Sequence, residues 1–194
     1  METAKEQFVE VYQEFIHRDG SDRLLEWLEG TDFFTAPASA SYHGAFEGGL
    51  VRHSVNVYSR LLEHYRREGN LESPVLEKIA ICGLLHDICK TGYYTVAMRN
   101  AKNEQTGAWE KVPYYTQKDT FPYGHGEKSV WMIERFMKLT REEAMAIRWH
   151  MGAYSGERDW KSIGHAFEMY PLAMELHFAD MRATHIDEVN KGDQ

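Results

Sequence analysis

The sequence predicts an all-α protein, a helical bundle into which one small β-hairpin is inserted at about residues 92–117. Apolar residues recur at helical spacing along most of the 194-residue chain. Two runs rich in β-branched and aromatic residues, at 93–100 and 109–117, flank a polar stretch typical of a turn. The length suits one domain, 1–194, with a core large enough to enclose an internal site.

The N-terminal half contains four predicted helices. The first has apolar residues at helical spacing, and Pro74 marks the first turn of the fourth. A segment rich in glycine, proline and small residues, 31–49, predicts a loop between the second helix and the third. The predicted helices are 3–17, a short helix capped by Ser21 or Asp22, 50–68, and 73–90, which ends at Thr91-Gly92.

The C-terminal half begins with the hairpin and continues with three predicted helices. Thr140 and Glu143 form a capping-box pattern at the start of the second of these helices. Residues 151–170 predict a polar loop. The predicted helices are 127–139, 140–150, and a long last helix that begins at Pro171.

Composition restricts the possible partners. The net charge of −8 argues against long duplex nucleic acid, whereas a small anionic substrate remains compatible if a metal supplies positive charge locally. No apolar run approaches the roughly 20 residues that span a membrane, and the N-terminus lacks the apolar core of a signal peptide. We therefore expect a cytoplasmic protein without a membrane partner, in which Cys82 and Cys89 are reduced thiols.

Histidine is enriched, with ten residues, roughly twice what average usage gives. The pair His86-Asp87 ends the most apolar predicted helix, where a buried carboxylate beside an imidazole needs a partner. A bound divalent metal is one such partner, and ordinary hydrogen bonds at a helix end are the alternative. Further residues of ligand type stand at the ends or inner faces of other predicted helices: His53, His125, His150 and Asp180.

The order of these residues and their local contexts resemble the HD superfamily of metal-dependent phosphohydrolases. The segments that carry the resemblance are GGLVRHS, LLHDICK, GHGEKS, WHMG and FADMRA. The resemblance covers about residues 42–187 and implies an HD-domain helical bundle, with residues 1–40 as an N-terminal helical extension.

The resemblance also implies a ligand set. His53, His86, Asp87 and Asp180 would hold a first metal, and Asp87 would bridge to a second metal held by His125 and His150. The cofactor would be one or two divalent ions of Mn, Fe, Co, Ni or Zn, because imidazole and carboxylate suit all of these. The implied reaction is hydrolysis of a phosphoester by metal-activated water.

Four further residues are candidates for substrate binding. Lys90 follows the HD pair by three positions, where many members of the family carry a lysine, and either neutralises phosphate in catalysis or is an ordinary surface lysine. Arg182 and His43 could also reach substrate. Tyr123, two residues before His125, is the best candidate for an aromatic lid over a nucleobase, although hairpin aromatics more often stabilise the hairpin itself.

Two departures from the family pattern stand out: Cys89 replaces the glycine of the common HD-I-G-K motif, and Met151 follows His150 where some relatives carry a second histidine. The absence of a GYP motif after the HD pair argues against the cyclic di-GMP phosphodiesterase branch.

Three functions are compatible with the residues. The first is a phosphomonoesterase or phosphodiesterase acting on a small phosphorylated substrate, a nucleotide or a short oligonucleotide. The second is a mixed-valent di-iron oxygenase, since a minority of the family uses the same ligand positions to activate O₂. The third is a nucleotide-sensing module with a degraded site. The sequence leaves the oligomeric state open.

Overall fold

The structure is a computed structural model that describes residues 2–189. It confirms a mostly helical fold with one antiparallel hairpin. No helix in the described range is both long and apolar enough to cross a membrane. The elements are α1 Ala4–Phe15, α2 Ser21–Glu29, α3 Gly49–Arg67, α4 Ser73–Leu85, β1 Tyr94–Lys102, β2 Trp109–Gln117, α5 His125–Glu134, α6 Arg141–Trp149, α7 Trp160–Met169 and α8 Pro171–Arg182.

The start of α2 differs from the prediction. Neither Ser21 nor Asp22 caps the helix, because Gly20 occupies the N-cap position in a left-handed conformation with φ of 88°. A Cβ at Gly20 would lie 1.9 Å from the Phe136 carbonyl oxygen, so only glycine fits between the helix start and this neighbouring segment. Ser21 is instead the first helical residue, and its carbonyl accepts a hydrogen bond from the Tyr12 hydroxyl.

Helices α3 and α4 form the centre of the core and pack very closely. A Cβ at Gly83 would lie 2.5 Å from the Cα of Tyr58, so the missing side chain allows the two backbones to approach. The residues of α4 from Ile79 to Leu85 are all buried, which explains why its sequence is apolar on every side. This packing places the C-terminal end of α4 against the middle of α3.

The end of α4 corrects the predicted helix over 73–90. The α-helix ends at Leu85, His86 is its C-cap, and Asp87 leaves the helical conformation with φ of −104° and ψ of 15°. A short 3₁₀ turn, Ile88–Lys90, follows. The change of backbone direction at Asp87 presents its carboxylate to the interior, because a continued α-helix would rotate each successive side chain by about 100°.

The hairpin is confirmed. Its strands pair antiparallel from Tyr94 opposite Gln117 to Lys102 opposite Trp109, close to the predicted limits. Neither strand contains a fully buried residue, so the hairpin lies outside the helical core.

The C-terminal half contains one helix that the sequence interpretation missed. The capping box of Thr140 and Glu143 is present at the start of α6, as predicted. Within the segment predicted as a loop, however, α7 buries Ile163 and Ala166. Its short apolar face lies among exposed polar residues, which conceals the helical periodicity. The last helix ends at Arg182 and continues as a single π-helical turn, Ala183–Asp187.

Candidate metal centre

The six residues predicted as metal ligands converge in one buried cluster, called here the metal cluster. They come from five places in the bundle: His53 from the interior of α3, His86 and Asp87 from the end of α4, His125 from the start of α5, His150 from the end of α6, and Asp180 from α8. His53, His86, Asp87 and His150 are buried. Helix termini and facing helices thus supply all the donors, as in other bundle sites.

One half of the cluster surrounds His53. Its Nε2 lies 3.3 Å from His86 Nε2, 3.2 Å from Asp180 Oδ1 and 3.6 Å from Asp87 Oδ2. Two imidazoles and two carboxylates therefore face a common point, which is the donor set that borderline divalent ions accept.

The other half surrounds the second oxygen of Asp87. Its Oδ1 accepts a hydrogen bond of 2.7 Å from His125 Nε2 and lies 3.5 Å from His150 Nε2. Since Oδ2 faces His53 and His86, at 3.6 Å from each Nε2, the two oxygens of one carboxylate serve the two halves. This is the arrangement of a bridging ligand.

Three of the histidines are oriented through Nδ1. His86 donates to the Gly83 carbonyl at 3.0 Å, His150 to the Ile147 carbonyl at 2.7 Å, and His53 to the Glu188 carboxylate at 3.0 Å. These hydrogen bonds fix each ring and direct Nε2 into the cluster, as partners of metal-bound histidines commonly do.

The environment of His150 Nε2 shows whether these residues fit a metal ion. This nitrogen is fully buried and has no hydrogen-bond partner among the described residues. A buried nitrogen without a partner costs free energy, so such atoms are rare unless a ligand completes them. A divalent ion held by His150, His125 and Asp87 would complete this nitrogen, and the residues present therefore fit the metal that the sequence predicted.

The electrostatics of the cluster also favour a cation. Burial lowers the pKa of His53, but hydrogen bonds to Asp180 and Glu188 outweigh burial and raise this pKa to about 10. Burial lowers the pKa of the neighbouring His86 to about 3. A single proton on His53 Nε2 therefore stands where the lone pairs of His86, Asp87 and Asp180 converge, and a divalent cation suits the same place better than a proton does.

The carboxylates of the cluster stay ionised in spite of their burial. The charges of Lys90 and His86 and the hydrogen bond from His125 outweigh burial and hold the pKa of Asp87 well below its ordinary value. The pKa of Asp180 is likewise lowered, because the hydrogen bond and charge of His53 outweigh burial. Both carboxyl groups are therefore ionised at neutral pH.

Two of the four predicted substrate-binding residues lie beside the metal cluster. The Nζ of Lys90 is 2.6 Å from Asp87 Oδ2, and although burial opposes its charge, Asp87 raises its pKa. The ring of His43 is centred 5.1 Å from the ring of His53. Burial, His53 and Lys90 together lower the pKa of His43, so it is neutral at pH 7.

The other two predicted substrate-binding residues lie elsewhere. Arg182 lines a groove between α3 and α8 together with Arg60 and Glu63, because its side chain leaves α8 on a different face from Asp180. Tyr123 is half exposed and stacks on Phe121 at 5.3 Å between ring centres. It packs on the outer face of α5 and does not cover His125.

Three residues around the cluster were not among the site residues predicted from the sequence. Glu188 orients His53, Cys89 lies 3.4 Å from His125 Nδ1, and Lys128 lines a cleft of about 110 Å³ with Lys90, Tyr93 and His125. Lys128 is nearly buried, pairs with Asp119 at 3.1 Å, and follows His125 by one turn of α5. A signal for Lys128 was present, since GHGEKS contains it; Glu188 follows the last motif and had none.

The comparison with protein families agrees with this geometry. A family model described as the HD domain matches residues 50–189, well over half of the chain. No curated protein and no solved structure matches the chain. The matched range begins at the second residue of α3 and includes all six residues of the metal cluster. The chain therefore belongs to the HD domain family, a superfamily of metal-dependent phosphohydrolases.

Proposed function

We propose that this protein is a metal-dependent phosphohydrolase that hydrolyses a phosphoester of a nucleotide or short oligonucleotide, using one or two divalent ions. The observation that carries the proposal is the convergence of His53, His86 and His150 on Asp87, each with Nδ1 bonded outward and Nε2 directed inward. These side chains do not form a complete hydrogen-bond network among themselves, because His150 Nε2 has no partner in the described chain. The arrangement is well suited to holding ions.

Bound divalent ions lower the pKa of water and offset the charge that develops on a phosphoryl group. The protein's part is to fix the donors. Asp87 connects the two halves of the cluster, and Asp180 and Glu188 hold His53 from opposite ring nitrogens. No nucleophilic side chain is required for this reaction class, and none is proposed.

The substrate side of the site is the cleft beside His125. Lys90 and Lys128 both line it together with Asp119, so two cationic side chains border a space of about 110 Å³ in a protein whose net charge is −8. That volume accommodates a phosphoryl group but not a whole nucleotide. We infer that the phosphate enters the cleft between the two lysines, and that the rest of the substrate lies outside it on the side of Tyr93.

Lys128 offers a direct test of this orientation. Two aromatic rings, Tyr93 and Phe121, lie 5.4 and 5.8 Å from its Nζ, and Asp119 accepts its hydrogen bond. These contacts hold the ammonium group at the cleft without neutralising it completely. We expect Lys128→Met to raise KM about tenfold, whereas Lys161→Met, at an exposed position on α7, leaves KM unchanged.

The first experiment is elemental analysis of protein purified without chelator, alongside Asp87→Ala. We expect one or two transition-metal ions per chain, lost in the variant. Phosphate release from nucleotides and short oligonucleotides is then measured with the identified metal, both in air and without oxygen. Phosphate release that persists without oxygen supports the hydrolase.

Three results would contradict the proposal. Absence of bound metal after reconstitution with manganese, iron, cobalt, zinc and nickel would refute the metal centre. Turnover that requires oxygen in an iron-loaded protein would favour the oxygenase. Tight nucleotide binding without turnover, unchanged in Asp87→Ala, would favour the sensing module.

A further inference from the structure

Cys89 stands at the edge of the metal cluster, where the common family motif has glycine. It lies two residues after Asp87 in the 3₁₀ turn and is 3 % exposed. Its Sγ is 3.4 Å from His125 Nδ1 and 3.7 Å from His125 Nε2. The turn is anchored by a hydrogen bond of 3.3 Å from the Cys89 amide to the Ser129 hydroxyl on α5. The sulfur is therefore held beside the donors of the second half of the cluster.

The spacing of the sulfur suits coordination. Metal–sulfur and metal–nitrogen bonds of about 2.3 and 2.0 Å at a tetrahedral angle place the two donor atoms about 3.5 Å apart. The distance from Cys89 Sγ to His125 Nε2 is close to this value. One donor atom each from Asp87, Cys89 and His125 lie within 4.8 Å of one another.

A second observation points to a ligand at the same place. The Nε2 of His150 faces Asp87 Oδ1 at 3.5 Å and has no hydrogen-bond partner among the described residues. The ring of His150 is centred 5.2 Å from the ring of His125, and donor atoms of His86, Asp87 and His150 also lie within 4.8 Å of one another, so Asp87 belongs both to this group and to the group of Cys89 and His125. Asp87, Cys89 and His125 supply a carboxylate oxygen, a sulfur and an imidazole nitrogen, which are all donor types that zinc accepts.

We propose that Cys89 is a thiolate ligand of the ion held by His125 and Asp87. The inference rests on the proposed metal centre and adds a ligand to it. On binding, the Cys89 S–H bond breaks, its proton passes to solvent, and the sulfur lone pair forms the bond to the ion, with no change of oxidation state. A soft thiolate in a site of imidazole and carboxylate selects zinc, iron or cobalt over manganese and magnesium.

The test uses cobalt(II), because thiolate coordination to cobalt gives an intense near-ultraviolet charge-transfer band that nitrogen and oxygen ligands do not give. The full-length chain and three variants are loaded with cobalt: Cys89→Ser, Cys89→Gly and Cys82→Ser. Cys82 is the matched control, because it is the other cysteine, it is fully buried, and burial raises the pKa of its thiol. Circular dichroism and thermal unfolding of each variant check that it is folded.

We expect the charge-transfer band in the unmodified chain and in Cys82→Ser, and its loss in both Cys89 variants. Those variants should also bind the second cobalt ion about 10-fold more weakly and lose their preference for zinc over manganese.

If the visible cobalt bands appear without the charge-transfer band, the metal centre exists and Cys89 merely hydrogen-bonds to His125, which overturns this inference alone. If no cobalt binds, both this inference and the proposed function fail. A band that disappears in Cys82→Ser also overturns the assignment.

Discussion

Two groups of buried or partly buried charged side chains can be compared in this bundle, and they are built on different principles. One is the metal cluster between α3, α4, α5, α6 and α8. The other, called here the ion-pair cluster, consists of Arg18 between α1 and α2, Glu77 on α4 and Glu143 on α6. Helices α4 and α6 contribute to both, so the comparison is made within the same elements.

In the ion-pair cluster every charged group finds its partner within the protein. Arg18 binds Glu143 through two parallel hydrogen bonds of 2.6 and 2.7 Å, and it also donates to Glu77 and to the Lys138 carbonyl. Glu143 additionally accepts from the Thr140 amide as part of the capping box. The fork of the guanidinium matches the carboxylate, which compensates for burial.

In the metal cluster the buried imidazole nitrogens are not all hydrogen-bonded within the described chain. Two imidazole Nε2 atoms face each other at 3.3 Å, where at most one carries a proton, and His150 Nε2 has no partner in the described chain. Buried charges that complete one another stabilise a fold, whereas buried lone pairs that converge with too few donors are suited to binding a cation. Completeness of hydrogen bonding therefore distinguishes the structural cluster from the functional one.

The largest effect should come from Asp87→Asn. The amide retains an oxygen that accepts from Lys90 but loses the charge that serves both halves of the cluster. We expect phosphohydrolase activity to fall at least about 10³-fold and metal content to fall with it. The free energy of unfolding of the metal-free protein should fall as well, because the buried Lys90 loses its counter-charge, and urea denaturation measures this loss. A large loss of stability with metal binding intact would remove the distinction between the clusters.

A different pattern should follow from Arg18→Met. Glu143 is then buried without its partner, and we expect unfolding to become easier by about 3 kcal/mol while activity per folded molecule stays unchanged. The double variant Arg18→Met/Glu143→Gln should recover part of the lost stability, because it no longer buries a lone charge. Unfolding in urea and metal content of the folded fraction provide the two measurements.

A smaller effect should follow from Glu188→Ala, which removes the acceptor that orients His53 Nδ1. We expect the affinity for the metal to fall about 10- to 100-fold, with little change in stability. Asp187→Asn is the matched control, because this neighbouring carboxylate pairs with Arg60 at the surface and does not touch His53. Competition with a chelating dye measures both affinities. Equal losses in the two variants would contradict the role assigned to Glu188.

The smallest effect should appear as a dependence of stability on acid. Although burial opposes ionisation, the hydrogen bonds from Arg18 and Thr140 lower the pKa of Glu143 below its ordinary 4.5. A lowered folded-state pKa contributes stability above pH 4.5, and this contribution is lost as the pH falls through the folded-state value. Glu143→Gln should therefore flatten the fall in melting temperature below pH 4.5 in metal-free protein. An identical fall in both proteins would contradict this assignment.

The sequence by itself determined the class of the fold and most of its elements, and it predicted the residues of the metal cluster. Helical periodicity, the Thr140–Glu143 capping box and the two β-prone runs act over short ranges, and they predicted α1, α3, α6 and the hairpin near their observed limits. The six cluster residues were predicted because their local motifs resemble those of the HD superfamily, and the family match covers all six positions.

Only the tertiary structure decided which side chains surround those six. Asp87 turns inward because α4 ends at Leu85, Glu188 reaches His53 across 135 positions of sequence, and Cys89 meets His125 across 36. The same long-range packing directs Arg182 and Tyr123 away from the cluster. Local spacing specifies secondary structure because its interactions span a few residues. The contacts that orient a metal ligand depend on how separate helices pack, and no short pattern in the chain records them.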